Sequence, residues 1–218
     1  MIASAFRPSD DATILPFLIP ANFFAVTSLR QIAEIMQEVY KDTEFANLCI
    51  ELADEVEKAI FKYGVVEHEK YGKILAYEVD GYGSQILIDD ANVPSLISLP
   101  YLGCIDINNE LYQNTRRFLL SKDNPWYFEG KDITGIGSVH TGRRYVWPIA
   151  IIIQALTSTN SLEKKNCVNL IKNSHAGTYF IHEGINADDQ FDYTRKWFAW
   201  ANTLFGELLL NIWNAEKF

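Results

Sequence analysis

The residues best suited to chemistry in this chain are carboxylates that recur in the long segments between helical patterns. Asp10 and Asp11 follow Arg7 in the first segment, and Asp80, Asp89, Asp90 and Asn92 occupy the second. The third carries His140, Arg143 and Arg144, and the fourth carries His182, Glu183, Asp188 and Asp189. Two carboxyl groups about 6.5 to 9.5 Å apart can cleave a glycosidic bond with inversion, one protonating the leaving oxygen and the other activating a water; a closer pair works by retention. Tyr77, Tyr82, Trp126, Tyr127 and Tyr145 lie on the same segments and offer faces on which a sugar ring can stack. The pattern points to a carbohydrate site.

Each signal has a plainer reading. The Ser-Asp-Asp, Ile-Asp-Asp and Ala-Asp-Asp strings could be helix caps and turns, because an aspartate beside a helix start satisfies free amides and complements the dipole. That alternative stays open for Asp89, Asp90, Asp188 and Asp189. Asp10 and Asp11 favour function, since Arg7 and Pro8 stand beside them and the next helix begins only after Pro20. The carboxylates and Asn92 do not follow the spacing of a calcium loop, and His140 and His182 lack the close partner of a zinc site. Gly135, Gly137 and Gly142 do not form a dinucleotide fingerprint. The expectation is therefore a site without metal or cofactor.

Helical periodicity must position these segments. It appears at about 20–39, then at 43–63, where Phe45, Leu48, Cys49, Leu52, Val56, Ala59 and Ile60 form one stripe. A short third helix is predicted from Asn92 to Gly103 with Pro94 in its first turn, a fourth at 109–120, a fifth from Pro148, a sixth at 161–174 and a seventh at 193–214. Trp197 and Trp200 read as core. Even so, Phe23, Phe24, Leu29 and Ile32 on the first helix, and Trp197, Trp200, Leu204, Leu208 and Trp213 on the last, exceed what one contact face uses. Connections alternate between short ties and the long segments 1–19, 64–91, 121–147 and 175–192. Antiparallel helical hairpins would bring those long segments to one face, which describes an all-α, α/α toroid. Within 64–91, the runs 74–79 and 85–88, split by Gly81 and Gly83, predict a small β-hairpin.

Bulk properties bound the answer. At 218 residues, 48% hydrophobic and 22% charged, the chain is expected to form one globular unit. Its net charge of −9 lacks the basic excess that nucleic acid requires, so no such partner is expected. The longest apolar run, Val146 to Ile153, is too short for a membrane span and contains Pro148. Cys49, Cys104 and Cys167 are too far apart for a metal pair and read as buried thiols. The N-terminal sequence has no basic stretch followed by an apolar one, which fits a cytoplasmic protein.

Five strings bring a family into view: IASAFRPSDDAT (2–13), EVDGYGSQILIDDANVPSLISLPYLG (78–103), NTRRFLLSKDNPWYFEG (114–130), GIGSVHTG (135–142) and TRKWFAWANTLFGE (194–207). They closely resemble glycoside hydrolase family 125 over nearly the whole chain. The resemblance implies a metal-independent, inverting exo-α-1,6-mannosidase on an (α/α)6 barrel, acting on mannose at the non-reducing end of oligosaccharides such as N-glycans. It places the general acid on Asp10 and the general base on Glu183. It puts Arg7, Asp11, Asp89, Asp90, Asn92, His140 and His182 around the substrate. Two departures stand out: Val139 replaces the family's usual proline, and Gly184, Ile185, Asn186 replace a tendency toward Ser-Phe-His after the base. Family members are roughly twice this length, so residues 1–218 are expected to form the C-terminal part of the catalytic domain. An N-terminal half would be the missing partner, and a carbohydrate-binding but non-catalytic remnant is the alternative reading.

Overall fold

A computed structural model describes residues 1–215, which divide into two compact units: residues 1–88 with 94–117, and residues 89–93 with 118–215. Composition gives no hint of this division. The first unit is organised by a helical hairpin. α1 (Ile19–Ile35) carries Pro20 in its first turn, where its fixed φ is suited. Leu18 offers no capping side chain, and Asn22 supplies the missing order. Its Nδ2 donates to Leu18 O at 2.9 Å and Ile2 O at 3.0 Å, and its Oδ1 accepts from Ile2 N at 2.7 Å. After a π-helical turn at Met36–Tyr40, left-handed Lys41 (φ 58°) reverses the chain. Asp42 then caps α2 (Thr43–Tyr63) by accepting from Phe45 N at 3.0 Å.

α2 buries Ala46, Cys49, Ala53, Val56 and Ile60, alternating steps of three and four that keep one stripe against α1. Phe45, Leu48 and Leu52 were expected in that stripe, but they are exposed beside it. The small Ala33, Ala46 and Cys49 meet where the helices approach, so the larger apolar residues are left on the flanks.

The predicted helix from Asn92 to Gly103 is a run of turns. Ser98 Oγ accepts from Ser95 N at 2.8 Å and donates to Ser95 O at 2.8 Å, a local alternative to helical bonding. Pro94 and Pro100 also bias their preceding residues away from helical angles. α3 (Glu110–Leu119) begins instead after Asn109, whose Oδ1 accepts from Leu111 N at 2.9 Å.

In the second unit the buried helix α4 (Pro148–Leu156) packs against α5 (Ser161–Asn173) and α6 (Ala199–Ala215). Asn160 caps α5 through Leu162 N at 2.9 Å and Glu163 N at 3.3 Å. Among the described residues there are six α-helices, one fewer than the seven expected. α6 begins later than its pattern predicts because 189–194 is drawn into a strand. Trp197, just before α6, and Trp200 within it are each 57% exposed and so are not core; α6 turns Leu208 inward and leaves Trp200 and Trp213 outside. Of the cysteines, Cys49 and Cys167 are buried and Cys104 is half-buried. No helix of the described residues is long and apolar enough to cross a membrane.

The fold is helix-rich without being all-α. In chain order the strands are β1 (Phe17–Leu18), β2 (Val65–His68), β3 (Gly72–Leu75), β4 (Glu78–Val79), β5 (Gln85–Ile86), β6 (Tyr127–Glu129), β7 (Thr134–Ile136), β8 (Tyr145–Val146), β9 (Gly184–Asn186) and β10 (Asp189–Thr194). They pair as the sheets β1-β4-β5 and β10-β9-β8 and the hairpins β2-β3 and β6-β7. The expected hairpin around Gly81 and Gly83 is β4-β5. The long segments between helices satisfy their buried backbone groups by pairing with one another.

Gly137 shows how tightly these strands fit: its N–H donates to Trp126 O at 2.8 Å, and a Cβ there would lie 2.2 Å from Tyr145 O and 2.8 Å from the Phe128 ring. Gly137→Ala is expected to destabilise the fold by about 1–3 kcal/mol, the usual cost of overpacking. A urea unfolding midpoint equal to that of the unmodified chain would contradict this fit.

Candidate active site

The Asp10 segment is a folded loop in the first unit. Ser4 N donates to Pro16 O at 2.9 Å, Thr13 N to Ala5 O at 3.1 Å, and Phe6 bridges Ala12, so the two limbs run back along each other. At the tip, Arg7 N donates to Asp11 O at 2.7 Å and Asp10 N to Arg7 O at 3.0 Å. Asp10 takes a left-handed conformation (φ 69°), which aspartate tolerates better than most residues, and it is exposed. Asp11 is half-buried.

Glu78 in β4 fastens this loop. Its Oε1 accepts from Arg7 Nε at 2.6 Å, and its Oε2 accepts from Ile14 N at 2.8 Å and Leu15 N at 3.0 Å. Both side chains are buried, and the Arg7 guanidinium lies 5.3 Å from the Tyr77 ring centre. Antiparallel pairing sets Phe17 opposite Val79 and Leu18 opposite Glu78, so the Asp10 loop and the 80–84 turn leave the sheet at the same end. At that turn Asp80 Oδ1 accepts from Tyr82 N at 2.8 Å and Ser84 N at 2.9 Å. The Ser84 hydroxyl and then the turn amides hold the Asp80 carboxyl below the usual aspartate range. Gly81 and Gly83 take positive φ (79° and 116°), which lets Tyr82 stand out at 96% exposure.

In the second unit, Asp89, Asp90 and Asn92 are all buried. Ser138 Oγ donates to Asp90 Oδ2 at 3.2 Å and accepts from His140 N at 3.2 Å, while Ala91 N donates to Gly137 O at 3.2 Å. Asn92 Oδ1 lies 3.1 Å from Val93 N. His140 is exposed and meets the Trp147 ring edge to face at 6.1 Å. The Ile-Asp-Asp-Ala-Asn and Gly-Ile-Gly-Ser strings are thus laid side by side.

Glu183 is 5% exposed and is held from several directions. Before it, Ile181 N donates to Asn202 Oδ1 at 3.1 Å and Ile181 O accepts from Asn202 Nδ2 at 2.8 Å, tying the segment to α6. His182 is fully buried, stacked on Tyr193 at 3.7 Å between centres, with Nδ1 3.3 Å from Arg195 O and Nε2 3.3 Å from Thr178 Oγ1. Its ring is committed to these internal partners and orders the loop. Glu183 N donates to Thr194 O at 3.3 Å, Gly184 N donates to Thr194 Oγ1 at 3.0 Å, and Glu183 Oε1 lies 3.1 Å from Arg195 Nε. A Cβ on Gly184 would come within 3.2 Å of the Thr141 and Thr194 hydroxyls, so the residue after Glu183 is closely fitted.

Asp188 and Asp189 take the structural reading. Asp188 is an exposed ion partner of Arg144, whose Nε donates to Oδ2 at 3.0 Å, and that guanidinium holds the Asp188 carboxyl below its usual range. Asp189 Oδ1 accepts from Phe191 N at 3.0 Å within the turn. Among the described residues, no group of three or more His, Cys, Asp or Glu side chains could hold a metal ion.

Sequence reasoning passed over Glu78 and Arg195. For Glu78 the signal was present: a carboxylate inside the apolar run Ile74 to Val79 must find a partner when buried. Glu78→Ala is expected to cost about 3–5 kcal/mol, because it removes the carboxylate from the buried Arg7 guanidinium. Chemical denaturation of the variant checks this, and a loss under about 1 kcal/mol, the ceiling of a surface pair, would contradict it.

The comparisons follow this geometry. The family model described as metal-independent alpha-mannosidase (GH125) matches residues 1–210. The meiotically up-regulated gene 157 protein of the fission yeast Schizosaccharomyces pombe is 46% identical over 213 residues, covering 97% of this chain and 42% of its own. A Streptococcus pneumoniae metal-independent alpha-mannosidase, solved as a non-productive substrate complex with alpha-1,6-mannobiose, superposes with a TM-score of 0.94 at 42% identity, covering 97% of this chain and 50% of its own. A bacterial glucoamylase complexed with acarbose shares the fold at a TM-score of 0.66 and 15% identity, over 88% of this chain and 33% of its own. The chain therefore spans about half the length of the relatives it matches and carries their helix-rich, six-hairpin type of fold. With a family match that takes in both the Asp10 loop and the Glu183 segment, this chain belongs to glycoside hydrolase family 125.

Proposed function

We propose that this chain carries the acid and base of a metal-independent exo-α-1,6-mannosidase. The observation that carries the reading is its likeness, at 42% identity, to a family member solved with alpha-1,6-mannobiose. Asp10 protonates the glycosidic oxygen as the C1–O bond breaks. Glu183 takes a proton from the water whose oxygen attacks C1 from the opposite face. Arg7, Asp11, Asp89, Asp90, Asn92 and His140 orient the terminal mannose, and His182 acts through the loop it orders. Tyr82, exposed on a fixed turn, offers a ring on which sugar can stack. In this reading the remaining length found in the relatives supplies the other helices of an (α/α)6 toroid, and the apolar flanks of α1, α2 and α6 are suited to receive them.

Leaving-group dependence separates the two roles. Asp10→Asn is expected to lower turnover of α-1,6-mannobiose by about 10²- to 10⁴-fold yet to spare an aryl α-mannoside whose leaving group needs no proton. Glu183→Gln is expected to lose turnover of both substrates. Equal responses of the two variants to leaving group would overturn the assignment.

A second reading draws on the half-length coverage of the relatives: a carbohydrate-binding remnant that does not turn over. Calorimetric titration with α-1,6-mannobiose alongside a turnover assay distinguishes the readings. Hydrolysis unchanged by EDTA supports the mannosidase, whereas binding without hydrolysis supports the remnant.

A further inference from the structure

We infer that Arg195 is a positioning residue for the base: it holds one oxygen of Glu183 so that the other is left to take the proton from water. This rests on Glu183 being the base. Arg195 Nε lies 3.1 Å from Oε1, and no hydrogen bond within the described residues engages Oε2. The pair is lopsided, with the Arg195 side chain 62% exposed and that of Glu183 only 6%. The cation is largely open to solvent while the carboxylate it meets is buried, so the contact is placed to orient Glu183.

The backbone supports this reading. Arg195 sits at φ 41°, a conformation that non-glycine residues adopt only when their surroundings impose it. Those surroundings are visible: Thr194 is bonded on one side to Glu183 N and Gly184 N, His182 Nδ1 lies 3.3 Å from Arg195 O, and the guanidinium lies 6.0 Å from the Phe198 ring centre. The strained residue is thus clamped against the segment carrying Glu183, and its side chain leaves that clamp toward Oε1. A guanidinium facing the carboxylate through Nε restricts its orientation more than the mobile point charge of lysine does. In the attack step Oε1 stays on Arg195, Oε2 accepts the water proton, and the water oxygen bonds to C1.

The test is steady-state hydrolysis of α-1,6-mannobiose by the full chain and its Arg195→Ala, Arg195→Lys and Glu183→Gln variants, with thermal melts of each. Arg195→Ala is expected to lower kcat by about ten- to a hundredfold, the effect of misplacing a catalytic group by an ångström or less, with KM within about twofold. Arg195→Lys should fall between, and millimolar free guanidinium should restore part of the Arg195→Ala rate. Melting temperature should stay within a degree or two of the unmodified chain. A kcat equal to wild type in Arg195→Ala, or a loss that follows a collapse in melting temperature and is not rescued by guanidinium, overturns the inference while leaving Glu183 as base. Full activity in Glu183→Gln, or no hydrolysis by the unmodified chain, overturns the assignment of the base as well.

Discussion

Glu78 lies fully inside the protein with each oxygen engaged, and the Asp10 loop depends on it. A buried ion pair alone is weak evidence of stability, since desolvation offsets most of its attraction. Here the carboxylate also takes two amides from the returning limb of the loop, while the outgoing limb contributes Arg7. One side chain therefore closes both limbs at once. The two-residue strands β1 and β4 give only a short ladder, and without Glu78 the loop would be held mainly by its internal hydrogen bonds. The left-handed Asp10 at the tip inherits its position from that anchor.

Glu183 reaches a fixed position by different chemistry. Its neighbours are held by an amide side chain from α6, by a histidine–tyrosine stack and by the two oxygens of Thr194. These are mostly neutral contacts, and the one ion pair comes from a largely exposed arginine. Each carboxylate is positioned by the unit that carries it, and their surroundings differ: Asp10 is open to solvent, while Glu183 is buried apart from its arginine contact.

The helices were legible where local and tertiary signals agreed. α2 and α5 combine a side-chain cap with an apolar period, and both were read within a residue of their ends. At 92–103 the pattern misled because Ser95 and Ser98 bond each other and two prolines discourage helical angles. Strands of two or three residues carry no usable period, so β1, β6 and β8 were beyond reach, whereas β4-β5 announced itself through its glycines. For the site, Asp10 stood out by its place far ahead of a helix. Glu183 was singled out by family resemblance, because a burial created by α6 and β10 leaves no trace in spacing. Arg195 was invisible for the same reason.

Apolar side chains on the flanks of α1, α2 and α6, among them Ile32, Leu48, Leu52, Leu210 and Trp213, remain exposed in a chain that spans half the length of its relatives. Patches of this kind mark surfaces that bind other protein segments. They bear on how completely the chain works alone, but the chemistry proposed for Asp10 and Glu183 has its own signature. Proton NMR of the sugar released from α-1,6-mannobiose, recorded before mutarotation, reads it directly. Inversion of the α-linkage predicts β-mannose as the first product, and α-mannose appearing first would contradict the account.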